Sequence, residues 1–137
     1  MSRYMLDTNA VSDLVKGHPD IARRLVAVPM SSICISAITE GELLYGLAKR
    51  PQFSRLRVAV EEFLRRTDVL PWDSSVTPSH GHLHASLEGQ GKVLQALDLQ
   101  IAAHALSVEA VLVTADKAFS MVSGLSVEDW KQAQPSL

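Results

Sequence analysis

Residues 3–9 read RYMLDTN, and the reading of the whole fold turns on that run. Tyr4, Met5 and Leu6 suit a buried strand, and an aspartate, Asp7, follows them directly. An Asp in that position commonly serves as a turn residue or helix N-cap, because its carboxylate accepts from free backbone N–H groups. It also stands where open α/β sheets bind their ligands, beyond the carboxyl ends of the strands. The rest of the chain has to weigh one role against the other.

Outward from that run, strands and helices alternate. NAVSDLVKG (9–17) reads as a helix that Thr8 or Asn9 can cap and Gly17 ends. HPDIARRLVAV (18–28) opens a second helix with Pro19 in its first turn. SICIS (32–36) is strand-like, AITEGELLYGLAKR (37–50) and QFSRLRVAVEEFLRR (52–66) are helices parted at Pro51, and DVLPW (68–72) is a short strand stopped by a proline. VTPSHGHLHASLEGQG (76–91) is helical. QALDLQIAAHALSVEA (95–110) carries the strongest helical periodicity, with Leu97, Ile101, Ala105 and Val108 on one face. VLVT (111–114) is a buried strand, LSVEDW (125–130) an edge segment, and KQAQPSL (131–137) a frayed tail. Strands separated by helices imply a mostly parallel central sheet with helices on both faces, an α/β fold.

Composition narrows the class. The 137 residues suit a single domain, 1–137, long enough for a core without staples. Hydrophobic residues make up 47% but aromatics only 5%, so that core is aliphatic. One cysteine, Cys34, excludes an internal disulfide and fits a reducing, cytoplasmic setting. Neither an export signal nor a membrane span is legible: the longest apolar stretch is broken by Asp98, Gln100, His104 and Glu109. A net charge of −2 does not advertise a nucleic-acid binder.

Four acids fall where a site would form. Asp7 and Asp116 follow buried strands, Asp98 opens the apolar helix between Leu97 and Leu99, and Glu42 shares a helix face with Ile38 and Tyr45. Each has an ordinary reading as cap, helix-dipole partner or solvated side chain. Together they form a set that repels itself unless a divalent cation neutralises it. An all-oxygen site suits Mg²⁺ or Mn²⁺ and the metal-assisted chemistry of phosphates.

These residues carry a resemblance. MLDTN, ISAITEGELLYGLAKR, LDLQIAAHAL, LVTADKAF and GLSVEDW resemble, in order and from Tyr4 to Trp130, the motifs of PIN-domain ribonucleases, and more narrowly the VapC toxins of toxin–antitoxin pairs. The resemblance implies a PIN fold and a Mg²⁺- or Mn²⁺-dependent endoribonuclease. It places the catalytic acids on Asp7, Glu42, Asp98 and Asp116, with Asp7, Asp98 and Asp116 as direct metal ligands. Asn9 and Thr114 match the family's supporting polar residues. It further implies a structured RNA substrate such as tRNA, a homodimer and a VapB-type antitoxin. Gln95 stands where relatives often carry Gly, and Ala115 where they often carry Asn.

Basic residues are unevenly spread, with Lys49, Arg50, Arg55, Arg57, Arg65 and Arg66 crowding one helical region. They read either as a solvated face or as a rim that steers phosphates inward, with Lys49, Arg50 and Arg55 as RNA-contact candidates. SHGHLH (79–84) imitates a zinc motif but lacks further ligands. His104 reads as a hydrogen-bonded helix histidine. A non-catalytic RNA- or protein-binding PIN module is the competing reading. A phosphatase ranks last, because DTNAVSD lacks a second acid two residues after the first.

Overall fold

The computed structural model describes residues 2–50 and 54–131. Among them five strands form one sheet: β1 (Tyr4–Leu6), β2 (Ile33–Ser36), β3 (Asp68–Leu70), β4 (Val111–Val113) and β5 (Val127–Glu128). They lie in the order β3-β2-β1-β4-β5, and every neighbouring pair is parallel. The expected α/β architecture is therefore present.

Helices cover both faces, and the strand alternation shows why. Met5, Cys34 and Leu112 point to one side, where α5 (Thr77–Gly89) and α6 (Ala96–Ser107) bury Leu83, Leu87, Ile101 and Ala105. Leu6, Ile33, Ile35 and Val113 point to the other. There α1 (Thr8–Val15), α2 (Pro19–Val26), α3 (Ala37–Ala48) and α4 (Arg55–Arg66) contribute Val11, Ile21, Leu43, Leu47 and Val60. This period of two is the pleat of a strand buried on both faces. Cys34 lies fully buried in the core, as a small hydrophobe would.

Chain direction creates the site's location. From β1 the chain moves to β2 and β3 on one side, then returns past β1 to β4 on the other. The crevice between β1 and β4 is thus the topological switch point, where ligands of open α/β sheets bind. Asp7 N–H donates to Val113 O at 3.0 Å, and Thr114 N–H to Glu128 O at 3.0 Å. The parallel ladder therefore reaches one residue past β1 and β4, so backbone bonds hold Asp7 and Thr114 on that rim.

Several local expectations change. Asp7, not Thr8 or Asn9, is the N-cap of α1, accepting from Ala10 N–H at 2.8 Å. Its β-region backbone and short carboxylate suit the position, whereas Thr8 and Asn9 are already helical. Leu97 is 46% exposed and leaves the apolar face of α6, whose buried residues begin at Leu99. Pro51 and the start of the segment expected from Gln52 lie outside the described residues, as does the expected frayed tail beyond Lys131. No helix among the described residues is long and apolar enough to cross a membrane.

Candidate functional site

Each acid arrives on the rim by a different local device. Asp7 is 5% exposed, fixed by the β1–β4 ladder and by its capping bond. Asp116 is exposed and caps a 3₁₀ turn over Lys117–Met121, accepting from Ala118 N–H at 2.9 Å. The Thr114 hydroxyl accepts from Asp116 N–H at 3.0 Å and lies close enough to Asp7 to oppose the rise of its pKa, so one buried threonine stands between the first acid and the fourth. Asp98 lies half-buried in the first turn of α6, where the helix dipole favours a negative charge.

Glu42 comes inward by a route that differs from the sequence expectation. Tyr45, expected on its face, is 64% exposed. Glu42 instead sits between buried Thr39 and Leu43, and the Thr8 hydroxyl donates to its Oε1 at 2.6 Å. A neutral donor thus supplies the partner that no nearby lysine or arginine provides.

Electrostatics link the four. Burial, opposed by the Thr114 and Ala10 bonds, raises the Asp7 carboxyl above its ordinary value, and the charges of Asp98 and Asp116 raise it further. Burial also raises Asp98, with Asp116 and Glu42 adding to the shift. Among the described residues no lysine, arginine or histidine pairs with any of the four. Nor do three metal-binding side chains already stand at ligand spacing there. The donor set is nevertheless all oxygen and self-repelling, which fits a hard divalent cation and not zinc.

The remaining candidates separate. Asn9 is exposed at the start of α1 and borders a small cleft with Asp13, Thr114, Ala115 and Asp129. Arg57 is tied to Leu47 O at 2.9 Å and to Glu61, while Arg65 and Arg66 bond Glu62. Lys49, Arg50 and Arg55 remain exposed, Lys49 lying 4.4 Å from the centre of the Tyr45 ring. A cleft of about 80 Å³ runs from Glu42 and Thr8 between Lys16 and Arg50. Lys16 was invisible as a site residue, because only the packing of α1 against α3 brings it there. Thr8 had a signal, its position beside Asp7, but it read as a cap.

The decoys resolve as structural. His104 is 1% exposed, and its Nδ1 meets Ser36 Oγ at 2.7 Å, bonding α6 to the N-cap of α3. His84 pairs with Glu88, and His80 packs edge-on against Trp72.

A parallel five-stranded sheet with acids converging at its switch point defines the class. The sequence matches the family described as PIN domain over residues 4–125, and the chain belongs to it. It is 35% identical to the tRNA(fMet)-specific endonuclease VapC of Shigella flexneri over 95% of this chain and 99% of that one. It is 34% identical to ribonuclease VapC2 of Haemophilus influenzae, again over 95% and 99%. The crystal structure of DNA-bound VapBC from Salmonella typhimurium superposes with a TM-score of 0.86 at 35% identity, covering 95% of this chain and 99% of that one. Within the PIN family the chain is a VapC-type endoribonuclease, the toxin of a toxin–antitoxin system.

Proposed function

We propose that this protein cleaves tRNA with the aid of Mg²⁺ or Mn²⁺ at the β1–β4 switch point, residues 1–137 acting as one domain. The observation that carries the reading is a set of four carboxylates, from four separate elements, with no cation paired to any of them among the described residues. Asp7, Asp98 and Asp116 would hold the ion, and the Thr114 hydroxyl, accepting from Asp116 N–H, anchors the last of these. Bound there, the ion supplies positive charge that acidifies water and neutralises the scissile phosphate. Glu42 orients the attacking water through the oxygen that Thr8 leaves free. Water attack needs no 2′-hydroxyl nucleophile and leaves a 5′-phosphate.

Lys49, Arg50 and Arg55 supply the positive edge that draws RNA towards an acidic centre in a chain of net charge −2. Looped tRNA segments fit such a cleft because their bases are splayed out. The Shigella relative's name supports tRNA as substrate. The VapBC complex supports a VapB-type antitoxin, and we extend the reading to a homodimer acting in the cytoplasm.

The test is cleavage of purified total tRNA with Mg²⁺, Mn²⁺ or EDTA by wild type and Asp7→Asn. Discrete products with 5′-phosphates, lost with EDTA and with the substitution, are expected. Ends bearing 2′,3′-cyclic phosphate would overturn the mechanism. Metal binding without cleavage would favour the non-catalytic binding module.

A further inference from the structure

We propose that Thr8 is a positioning residue for RNA cleavage: its hydroxyl pins one oxygen of Glu42 and thereby sets where the other oxygen acts. The inference rests on the ribonuclease reading above and deepens it.

Thr8 is the first residue of α1, directly after Asp7, yet its Oγ1 stands 2.6 Å from Glu42 Oε1 on α3. That length is a normal hydroxyl-to-carboxyl hydrogen bond. A hydroxyl has one proton to give and two sites at which to accept. With its one proton directed to Glu42, Thr8 Oγ1 also stands 3.5 Å from Thr39 Oγ1, at the outer limit of a hydrogen bond. Thr39 is fully buried one helical turn before Glu42, so the two α3 groups that meet Thr8 share one face.

Position explains why this hydroxyl is free for the task. In a helix interior a threonine hydroxyl is drawn to the carbonyl three or four residues back. At the first helical position no preceding turn exists to compete. Capping is performed by Asp7, which releases Thr8 from the role its sequence context suggested. One turn of α1 therefore registers two acids at once: Asp7 through Ala10 N–H, and Glu42 through Thr8. Glu42 has a longer and freer side chain than the three aspartates, so it has the most rotamer freedom for a tether to remove.

The test uses the full chain with total tRNA as substrate and five proteins: wild type, Thr8→Val, Thr8→Ser, Glu42→Gln and the Thr8→Val/Glu42→Gln double variant. Thr8→Val keeps the shape and removes the proton. Its kcat is expected to fall about tenfold with KM changed less than about twofold, in the range for residues that orient a ligand side chain. Thr8→Ser is expected to restore most of the loss. The double variant should be no slower than Glu42→Gln alone, because the two changes act on one interaction. In metal-free protein labelled with ¹³C, the Glu42 carboxyl resonance should shift in Thr8→Val and return in Thr8→Ser. A midpoint of urea unfolding accompanies each variant, and a kcat loss that merely tracks stability overturns the assignment. So does an unchanged kcat in Thr8→Val, a multiplied loss in the double variant, or an unmoved carboxyl resonance. Wild type that leaves all tRNA intact would sink the tRNA reading itself, whereas equal activity of wild type and Thr8→Val would sink only this one.

Discussion

Two acids at the same edge of the sheet are treated in opposite ways. Glu128, the last residue of β5, accepts from Arg24 Nη2 at 3.2 Å and from Trp130 Nε1 at 2.9 Å. Arg24 also lies over the Trp130 ring at 5.7 Å, and Tyr4 packs on that ring at 5.4 Å. Asp7, two strands away, is more deeply buried but receives only neutral donors, and its charged neighbours are acids. Glu128 is given a cation, whereas Asp7 is left with its charge unanswered. The contrast supports the proposed site on the rim without reference to any relative, because perturbed and unpaired acids in a crevice point to a functional site.

The sharpest way to break this contrast is Asp98→Asn. On the ribonuclease reading, cleavage falls by more than about a hundredfold, beyond the range for residues that merely orient a ligand. Resistance to urea stays level or rises, since a repelling charge has gone. A clear loss of stability would mean that the acid serves the fold after all. Glu128→Ala is the mirror experiment. It leaves the Trp130 N–H and Arg24 without their acceptor and should lower stability by about 1–3 kcal/mol, while cleavage per folded molecule is retained.

The smallest effect sharpens the comparison through pH. The Asp7 and Asp98 carboxyls are raised above the ordinary 3.8, so the native state holds their protons to higher pH than the unfolded chain does. Stability from these two groups is therefore greatest at acid pH and falls as pH rises from about 4 through their raised values. Glu62 and Asp73 shift downward and act in the opposite sense, so the difference between wild type and Asp7→Asn is the quantity to follow. In urea unfolding without divalent cations, wild type should lose ground to Asp7→Asn as pH rises towards neutrality. Added Mg²⁺ should reverse that loss in wild type and not in the variant.

Most of the frame was legible because its signals are local. RYMLD, SICIS and VLVT announce themselves as strands by their apolar runs, and Gly17, Pro19 and Gly91 punctuate the helices where the backbone requires it. Gly17 and Gly91 adopt φ of +89° and +68°, values that disfavour any residue with a Cβ. Other expectations failed where a side chain's fate depends on what packs beside it. Tyr45 and Leu97 have helical spacing that points inward, yet both are exposed: α3 buries Thr39, Leu43 and Leu47 instead, and α6 buries Ile101 and Ala105 on the face of Leu97 but leaves that first-turn residue uncovered. Asp7 could be read as a cap or as a site residue, and the two readings proved compatible, since one carboxylate oxygen suffices for Ala10 N–H.

By itself the sequence determined the strand–helix alternation, the burial of Cys34 and the order of the acids along the chain, all consequences of near-neighbour periodicity. Tertiary structure alone decided the strand order β3-β2-β1-β4-β5, which opens the crevice between β1 and β4. It also chose Arg24 as the partner of Glu128 across 104 positions, Ser36 as the partner of His104 across 68, and Thr8 as the partner of Glu42 across 34. The physical reason is common to all three. A hydrogen bond between distant residues depends on a separation of a few tenths of an ångström, and only the packing of helices onto a twisted sheet sets such distances.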